Sequence, residues 1–336
     1  MKKRKALCVV LAVVMFLALT ASVYGAGAEE EEPVRMIIAD VYPVGAPFPE
    51  AMEWMQEEIE TRSDGEILVE YHPAGALGGA TELFSSVMAG DIHYTMLGPR
   101  EAGQYIPEVG ILTGPYVFRD WDHAHAVLTG EIGQELADMV REELGLRVIG
   151  SNYEYGVRNL TTSNTVVQRP EDLQGVRVRA EDLRETIAMI SAMGAEPVPV
   201  AFGELYTALQ QGVVEGQENP IHVSIDNGFH EVQRYAILTE HVHNMGWGFI
   251  NDAWFQSLSA EHQEILETTI EEAVAMNNEL TREKEAAARQ EWEDAGGEII
   301  EDVDQDAFRE NIEQAIYQDL MAEEWQVLYE RIQNVR

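Results

Sequence analysis

Two short stretches carry basic side chains in places where a folded chain seldom tolerates them. Arg158 lies in "YGVRNLTTS", and Arg177 and Arg179 lie in "GVRVRA". Both stretches read as β-strands. A guanidinium set among apolar strand residues costs several kcal/mol if it is left unpaired (order of magnitude). It needs an internal carboxylate or an anion from outside. Its planar fork meets a carboxylate through two parallel hydrogen bonds, which a lysine cannot do. Strand alternation puts Arg177 and Arg179 on one face, so one of them can be merely solvated. Structural pairing and anion recognition both remain open on these grounds. A polar cluster, Gln217, Glu218 and Asn219 in "VVEGQENP", closes another apolar strand. Buried, these groups need hydrogen-bond partners from protein, water or a ligand.

Catalytic sets are harder to find. The chain has no GxGxxG or Walker loop and no GxSxG elbow. His123 and His125 sit two apart on an expected helix and so point to different faces. His241 and His243 sit at an expected strand exit and can face one way. No neighbouring ligand motif completes a metal site at either pair. Neither a metal nor another cofactor is expected. The aromatics Tyr42, Phe202, Trp247 and Trp254 are packing material first, and those at strand exits can also line an apolar cleft wall.

The elements that must hold these residues alternate. "VRMIIAD" reads as a strand, and "PFPEAMEWMQEEIETRSDG" as a helix burying Phe48, Met52, Met55 and Ile59. "EILVEYH" follows as a strand, then a short helix with Leu83, Val87 and Met88, then the strand "IHYTML". One helix is expected from about Asp120 to Leu144, then "RVIGSNYEYGVRNLTT" as a long strand or a pair. The second half repeats the theme through "GVRVRA", "EPVPV", "VVEGQE" and "YAILTE". Such alternation predicts an α/β fold with helices flanking mostly parallel strands. From Ala260 to Ala295 the pattern is helical, beyond the usual globular length. It reads as one helix bracing two lobes, or as two helices broken near Asn277–Asn278. "ELFSSVMAGDI" aligns without gaps on "ELYTALQQGVV", which suggests two lobes on one plan. A cleft between two such lobes is a standard setting for a small-molecule site.

Charge and the N-terminus bound the setting. The 336 residues carry a formal net charge of −38. Nucleic-acid binding is close to excluded, since phosphate contact needs a basic surface. "MKKRK", the apolar "ALCVVLAVVMFLALTASVY" and the small residues Ala26–Ala28 read as a signal peptide, residues 1–28, cleaved near Ala28. Cys8, the one cysteine, lies at the start of the apolar run and not at its end, which disfavours a lipid anchor. The exported chain is then free of disulfides and thiol nucleophiles.

"AEPVPVAFGELYTALQQGVVEGQENP" resembles the signature of the solute-binding proteins of tripartite ATP-independent periplasmic (TRAP) transporters, the DctP-like family. "YHPAGALGGATEL", "YGVRNLTTSNTVVQRPEDLQGVRVRA", "FHEVQRYAILTEH" and "SLSAEHQEIL" resemble further segments of it, so the likeness spans essentially the whole chain after the leader. The resemblance implies a two-lobed periplasmic-binding-protein fold with a ligand cleft between lobes and a long bracing helix. Lobe I would take 29–155 and about 246–282. Lobe II would take 156–245 and about 283–336, with the C-terminal helices packing across both. It implies a monomeric periplasmic receptor that passes a small organic acid (a C4-dicarboxylate, keto acid or sugar acid) to membrane permease subunits. Arg179 matches the arginine that binds the ligand carboxylate. Arg158 matches a second arginine supporting it, Asn219 an asparagine bonded to the ligand, and Phe202 an aromatic packed against it. First-lobe contacts vary in the family. Tyr42, Arg100 and Glu101 are the candidates here, with Trp247 as a further wall residue. Gly203 stands where a serine is common and Ala180 where a valine is common, and neither touches the carboxylate clamp. The rival readings are an exported enzyme acting on small organic acids and a non-transport surface protein.

Overall fold

The structure, a computed structural model, describes residues 32–318 and 323–336. The expected signal peptide and its cleavage point lie outside the described residues. Residues Arg35–Arg336 form one compact unit. Its frame is a ten-stranded sheet. The strands are β1 (Val34–Ala39), β2 (Ile67–His72), β3 (Tyr94–Leu97), β4 (Leu146–Val148), β5 (Tyr153–Thr162), β6 (Arg177–Ala180), β7 (Glu196–Pro199), β8 (Gly216–Pro220), β9 (Tyr235–Asn251) and β10 (Glu298–Ile300). Their order is β2-β1-β3-β9-β5-β8-β6-β7, with β4 and β10 also paired to β9.

The pairing is less parallel than alternation alone predicts. β1–β3, β6–β7, β6–β8 and β9–β10 are parallel. β3–β9, β5–β9 and β5–β8 are antiparallel. The reason lies in the two central strands. β5 and β9 run against each other from Tyr153↔Gly246 to Thr162↔Tyr235. Each therefore carries the chain across the middle of the sheet. β9 spans 17 residues, far beyond "YAILTE". The expected strand stops where the backbone bends at Glu240, a non-glycine residue with φ 46°. The polar run after that bend reads as an exit, yet His241 is 0% exposed and the strand continues inward.

The internal echo is structural. Gly90 and Gly212 both take left-handed backbone, with φ 81° and 68°. Gly90 N–H donates to Val87 at 3.2 Å, and Gly212 N–H to Leu209 at 3.1 Å. The N–H groups of Asp91 and Ile92 share the Ser86 carbonyl, as those of Val213 and Val214 share the Ala208 carbonyl. Both helices thus stop on one motif and hand the chain to β3 and β8 in turn.

The long helix is a single element, Ala260–Asp294, of 35 residues. Asn277–Asn278 is no break. It is where the helix bolts to β5. Asn277 Nδ2 donates to the Glu154 carbonyl at 2.9 Å, and Glu154 N–H donates to Asn278 Oδ1 at 2.8 Å. Thr281 Oγ1 reaches the same carbonyl at 3.1 Å, and Arg282 Nε the Glu154 carboxylate at 2.8 Å. The helix begins against Pro47–Arg62, where Arg62 meets Glu272 at 2.6 Å. Further along, Lys284 holds Asp226 at 2.8 Å, and near the end Trp292 Nε1 donates to the Arg234 carbonyl at 3.3 Å. The C-terminal segment returns to the first half of the chain, where Arg119 donates to the Gln333 carbonyl at 3.0 Å.

The helix expected over Asp120–Leu144 is two helices, Trp121–Leu128 and Glu131–Leu144. The second starts so close to the end of the first that a Cβ on Gly133 would lie 2.0 Å from the Leu128 carbonyl oxygen. Gly133→Ala should therefore lower stability by about 1–3 kcal/mol, as overpacking does. Gly203→Ala, with nothing near its Cβ, should leave stability almost unchanged. Urea unfolding of both variants checks the contrast.

Candidate functional site

Arg179 stands on the short strand β6, where its side chain leaves the core beside the turn that follows β7. It is 3% exposed. Its Nε donates to the Val200 carbonyl at 3.0 Å. Among the described residues no carboxylate lies within ion-pair distance of it. Burial pushes its pKa below the ordinary arginine range, against the pull of Glu181 and Glu218 and with a push from Arg158. The charge is thus held at a cost, because a guanidinium does not give up its proton. Phe202 flanks it, with the Arg179 Cζ 5.8 Å from the ring centroid. Phe202 is 43% exposed and rests edge-on against Phe229 at 5.9 Å. A large aromatic face is thus open next to a charge without an ion-pair partner.

Arg158 has the internal partner that Arg179 lacks. β5 and β8 pair with Arg158 opposite Pro220 and Leu160 opposite Glu218. Arg158 Nε donates to Glu218 Oε2 at 2.5 Å and Nη2 to Oε1 at 2.8 Å, a two-pronged clamp. His241 Nε2–H gives Glu218 a further hydrogen bond at 3.1 Å. Leu160 N–H donates to Thr239 Oγ1 at 3.2 Å, and the Thr239 hydroxyl to His241 Nδ1 at 2.8 Å, which fixes the ring. Burial alone would raise the Glu218 pKa. The Arg158 charge and the two sets of hydrogen bonds outweigh it and pull the carboxyl down to about 2. Arg158 Nη1 keeps no partner in this clamp, and its side chain stays 18% exposed.

Asn219 is placed by its neighbour. Gln217 is fully buried and donates to Thr161 Oγ1 at 2.8 Å and Ser224 Oγ at 3.1 Å. Its Oε1 accepts from Asn219 Nδ2 at 2.6 Å. This orients the Asn219 amide and leaves Oδ1 as its uncommitted atom. Gln217 holds, Glu218 neutralises, and Asn219 presents an acceptor.

The segments after β1 and β3 supply other polar groups. Tyr42 is half-buried, packing against Phe48 at 5.6 Å and Tyr155 at 5.4 Å. Asp40 accepts from the Tyr42 N–H at 2.7 Å. Burial raises the Tyr42 pKa, helped by Tyr155, Asp40 and Glu101 and opposed by Arg100. The charges of Arg100 and Glu101 thus act on it. Glu101 is 5% exposed and accepts from Gln104 Nε2 at 2.7 Å. Arg100 reaches Glu181 at 3.0 Å. Trp247 has no exposed surface. It lies on β9 opposite Leu97, a wall of the core and not of an open cleft. Sequence reasoning missed Glu181 and Tyr155 and weighed His241 only as half of a metal pair, because these residues enter through strand pairing and packing. His243 does not join His241. It packs edge-on against Trp121 at 5.0 Å, and burial lowers its pKa to about 4.

A cavity of about 980 Å³ lies elsewhere, along the long helix beside Asp122, His125, Ser151, Glu279 and Arg282. Asp122, Glu271, Glu279 and Glu283 line it, and its two basic side chains, Arg282 and His125, are both engaged by Glu154. Among the described residues that line it, an anion finds no cation without a carboxylate partner.

The profile of the bacterial extracellular solute-binding protein family 7 (DctP) matches residues 38–324. The chain belongs to that family. This solute-binding protein is 34% identical, over 74% of its length and 76% of the relative's, to the 2,3-diketo-L-gulonate-binding periplasmic protein YiaO of Escherichia coli K12. A TRAP periplasmic solute-binding protein of Sulfitobacter sp. NAS-14.1, solved with β-D-galacturonate, superposes with a TM-score of 0.79 at 28% identity, covering 89% of this chain and 99% of that one. Another, from Polaromonas sp. JS666 and bound to D-erythronate, gives 0.78 at 28% identity, covering 90% and 99%. The family is one of transport receptors and not of enzymes.

Glu218 carries a linkage. Its folded pKa lies below its ordinary 4.5, so the stability it contributes is present above that value and lost as pH falls toward about 2. Glu218→Gln should cost about 3–5 kcal/mol near neutral pH, because Arg158 is left buried and unpaired. Its stability should also fall less steeply than wild type in acid. Chemical denaturation across that pH window measures both effects.

Proposed function

We propose that this solute-binding protein is the receptor of a TRAP transporter for a sugar acid, which it holds by the carboxylate. One observation carries the reading. Arg179 is buried to 3% exposure with no carboxylate partner among the described residues. A ligand carboxylate would supply that partner as a bidentate pair. Arg158, held by Glu218, would add charge through Nη1. Asn219 Oδ1 would accept from a ligand hydroxyl, and Phe202 would cover the ligand's apolar face. Tyr42 and Glu101 would serve as hydroxyl partners from the other wall. The ligands named for the YiaO protein and for the Sulfitobacter and Polaromonas structures are all acids of sugar type. A sugar acid also suits the charge balance. Beyond one uncommitted guanidinium, a second ligand carboxylate would meet Glu181 or Glu218.

The lobes follow the ranges 29–155 with about 246–282, and 156–245 with about 283–336. They close about β5, β9 and the long helix, in the manner of hinge-bending binding proteins. Ligand contact with both walls favours the closed form, because only that form offers both. The protein acts as a monomer in the periplasm after cleavage near Ala28 and delivers the ligand to permease subunits in the membrane.

A thermal-shift panel tests the reading, since a ligand that binds only the folded state raises stability by mass action. D-Galacturonate, D-glucuronate or D-erythronate should raise the melting temperature, and galactose, the neutral counterpart, should not. Arg179→Ala should weaken the best ligand by about 100-fold or more, the loss of two charge-assisted hydrogen bonds. Arg179→Lys should recover part of it. Equal affinity of wild type and Arg179→Ala would sink the clamp.

A further inference from the structure

Arg100 and Glu181 meet although the sheet sets their strands far apart. Arg100 follows β3 closely, and Glu181 follows β6 directly. Between β3 and β6 lie β9, β5 and β8. β3 pairs with β9 at Trp247–Ile250 and β5 pairs with it at Tyr235–Gly246, so β3 and β6 are neither neighbours nor abreast. Yet Arg100 Nη1 donates to Glu181 Oε2 at 3.0 Å. The two segments lean toward each other beyond the strand ends and join there. The side chains are 54% and 37% exposed, which places the pair at a rim. The rim lies over the anion-binding residues. Glu181 stands two positions after Arg179, and its charge acts on both Arg179 and Arg158. On the other side Arg100 neighbours Glu101 at 3.8 Å. Both walls of the candidate cleft are therefore tied by this one ion pair.

We propose that Arg100 and Glu181 form a latch across the cleft mouth, two positioning residues that hold the walls together and slow the release of the bound anion. The idea rests on the closing two-lobed reading given above. Its electrostatics are consistent with the acid ligand. Paired to Arg100, Glu181 is partly neutralised and repels an arriving carboxylate less. An exposed pair of this kind is worth a modest factor, about two- to five-fold in an equilibrium constant. Added salt weakens it, since exposed charges are screened.

The test has two readouts. The first is the release rate of D-galacturonate by stopped flow, for wild type, Arg100→Gln, Glu181→Gln, the double variant, and the charge swap Arg100→Glu with Glu181→Arg. Each single variant should speed release about two- to five-fold. The double variant should do no more than either single one, and the swap should restore slow release. Raising salt from about 0.05 M to about 0.5 M should erase the difference from wild type. Additive single effects overturn the latch. So does a loss at Arg100→Gln far beyond that at Glu181→Gln, which marks Arg100 as a direct ligand contact. The second readout needs no ligand. Spin labels at Leu68→Cys and Val213→Cys, both at exposed positions, report the distance between walls in a Cys8→Ser background. Breaking the pair should lengthen or broaden that distance, and an unchanged distribution in both single variants overturns the latch. A protein that binds no sugar acid yet opens in the label experiment refutes the ligand reading and leaves the latch standing.

Discussion

A buried guanidinium without a counter-ion is the constraint around which this molecule is arranged. Arg179 contributes nothing to folding that an apolar residue of similar size would not supply better. Its charge is lifted out of water at 3% exposure and answered, among the described residues, by the Val200 carbonyl and the Phe202 ring and by no carboxylate. Keeping a second guanidinium near it would double the problem. The chain meets this by giving Arg158 a carboxylate of its own. Glu218 takes both prongs of that fork and is itself steadied by His241. The polar end of β8 is therefore a working unit. It gives one positive charge a carboxylate of its own and leaves the other without an ion-pair partner among the described residues. Removing Glu218 and removing Arg179 have opposite meanings. The first exposes an unpaired buried charge, while the second removes one.

Placing such a site depends on two long strands and one helix that pass through the whole sheet. β5 carries Arg158 and also Glu154, the residue to which the long helix is bolted. β9 carries His241 in its middle and pairs with strands of both halves. Motion of one wall against the other must bend these elements. The bends are already marked. β5 has register irregularities between Glu154 and Gly156 and between Arg158 and Leu160, and β9 has its positive φ at Glu240. A strand with irregular pairing absorbs a rotation more easily than a regular ladder. The bolts of Asn277, Asn278 and Thr281 lie at the first of these irregularities. The helix is thus fixed beside the irregularity of the strand, and Arg62 and Asp226 tie it on either side of that point.

The sequence carried the order of elements, the arginines and the polar cluster, because these depend on local pattern and on the cost of burying charge. The apolar faces of the early helix, with Phe48, Met52, Met55 and Ile59, follow from spacing alone and are all buried. What escaped it depended on pairing between distant strands. Nothing local reveals that Arg158 faces Glu218 sixty residues on, or that Arg179 faces no acid. Polar residues inside β9 read as an exit because alternation is blind to a partner elsewhere in the sheet. The helix near Asp120 failed for another reason. Its apolar spacing runs through Thr129–Gly130, where Gly130 takes extended backbone (φ −92°, ψ −165°) and so separates one helix from two. Trp247 was legible as an aromatic at a useful position, but register on β3 decides that it serves the core.

The acidity of the chain bears on how an anion is captured at all. A formal charge of −38 repels a carboxylate at long range. Beyond about 10 Å that repulsion is screened at moderate salt. Within the cleft the balance is local. Arg179 has no ion-pair partner among the described residues, Arg158 is paired to Glu218, and Glu181 is engaged by Arg100. A desolvated pair between Arg179 and a carboxylate is screened far less than the surface charge is. Salt thus removes the opposing term and spares the favourable one. An acidic shell around a small basic cleft is then no contradiction, because solubility and recognition act over different distances. The surface governs the protein's relations with solvent and other macromolecules, while a carboxylate pairing with one buried guanidinium, as proposed above, would be decided at contact distance.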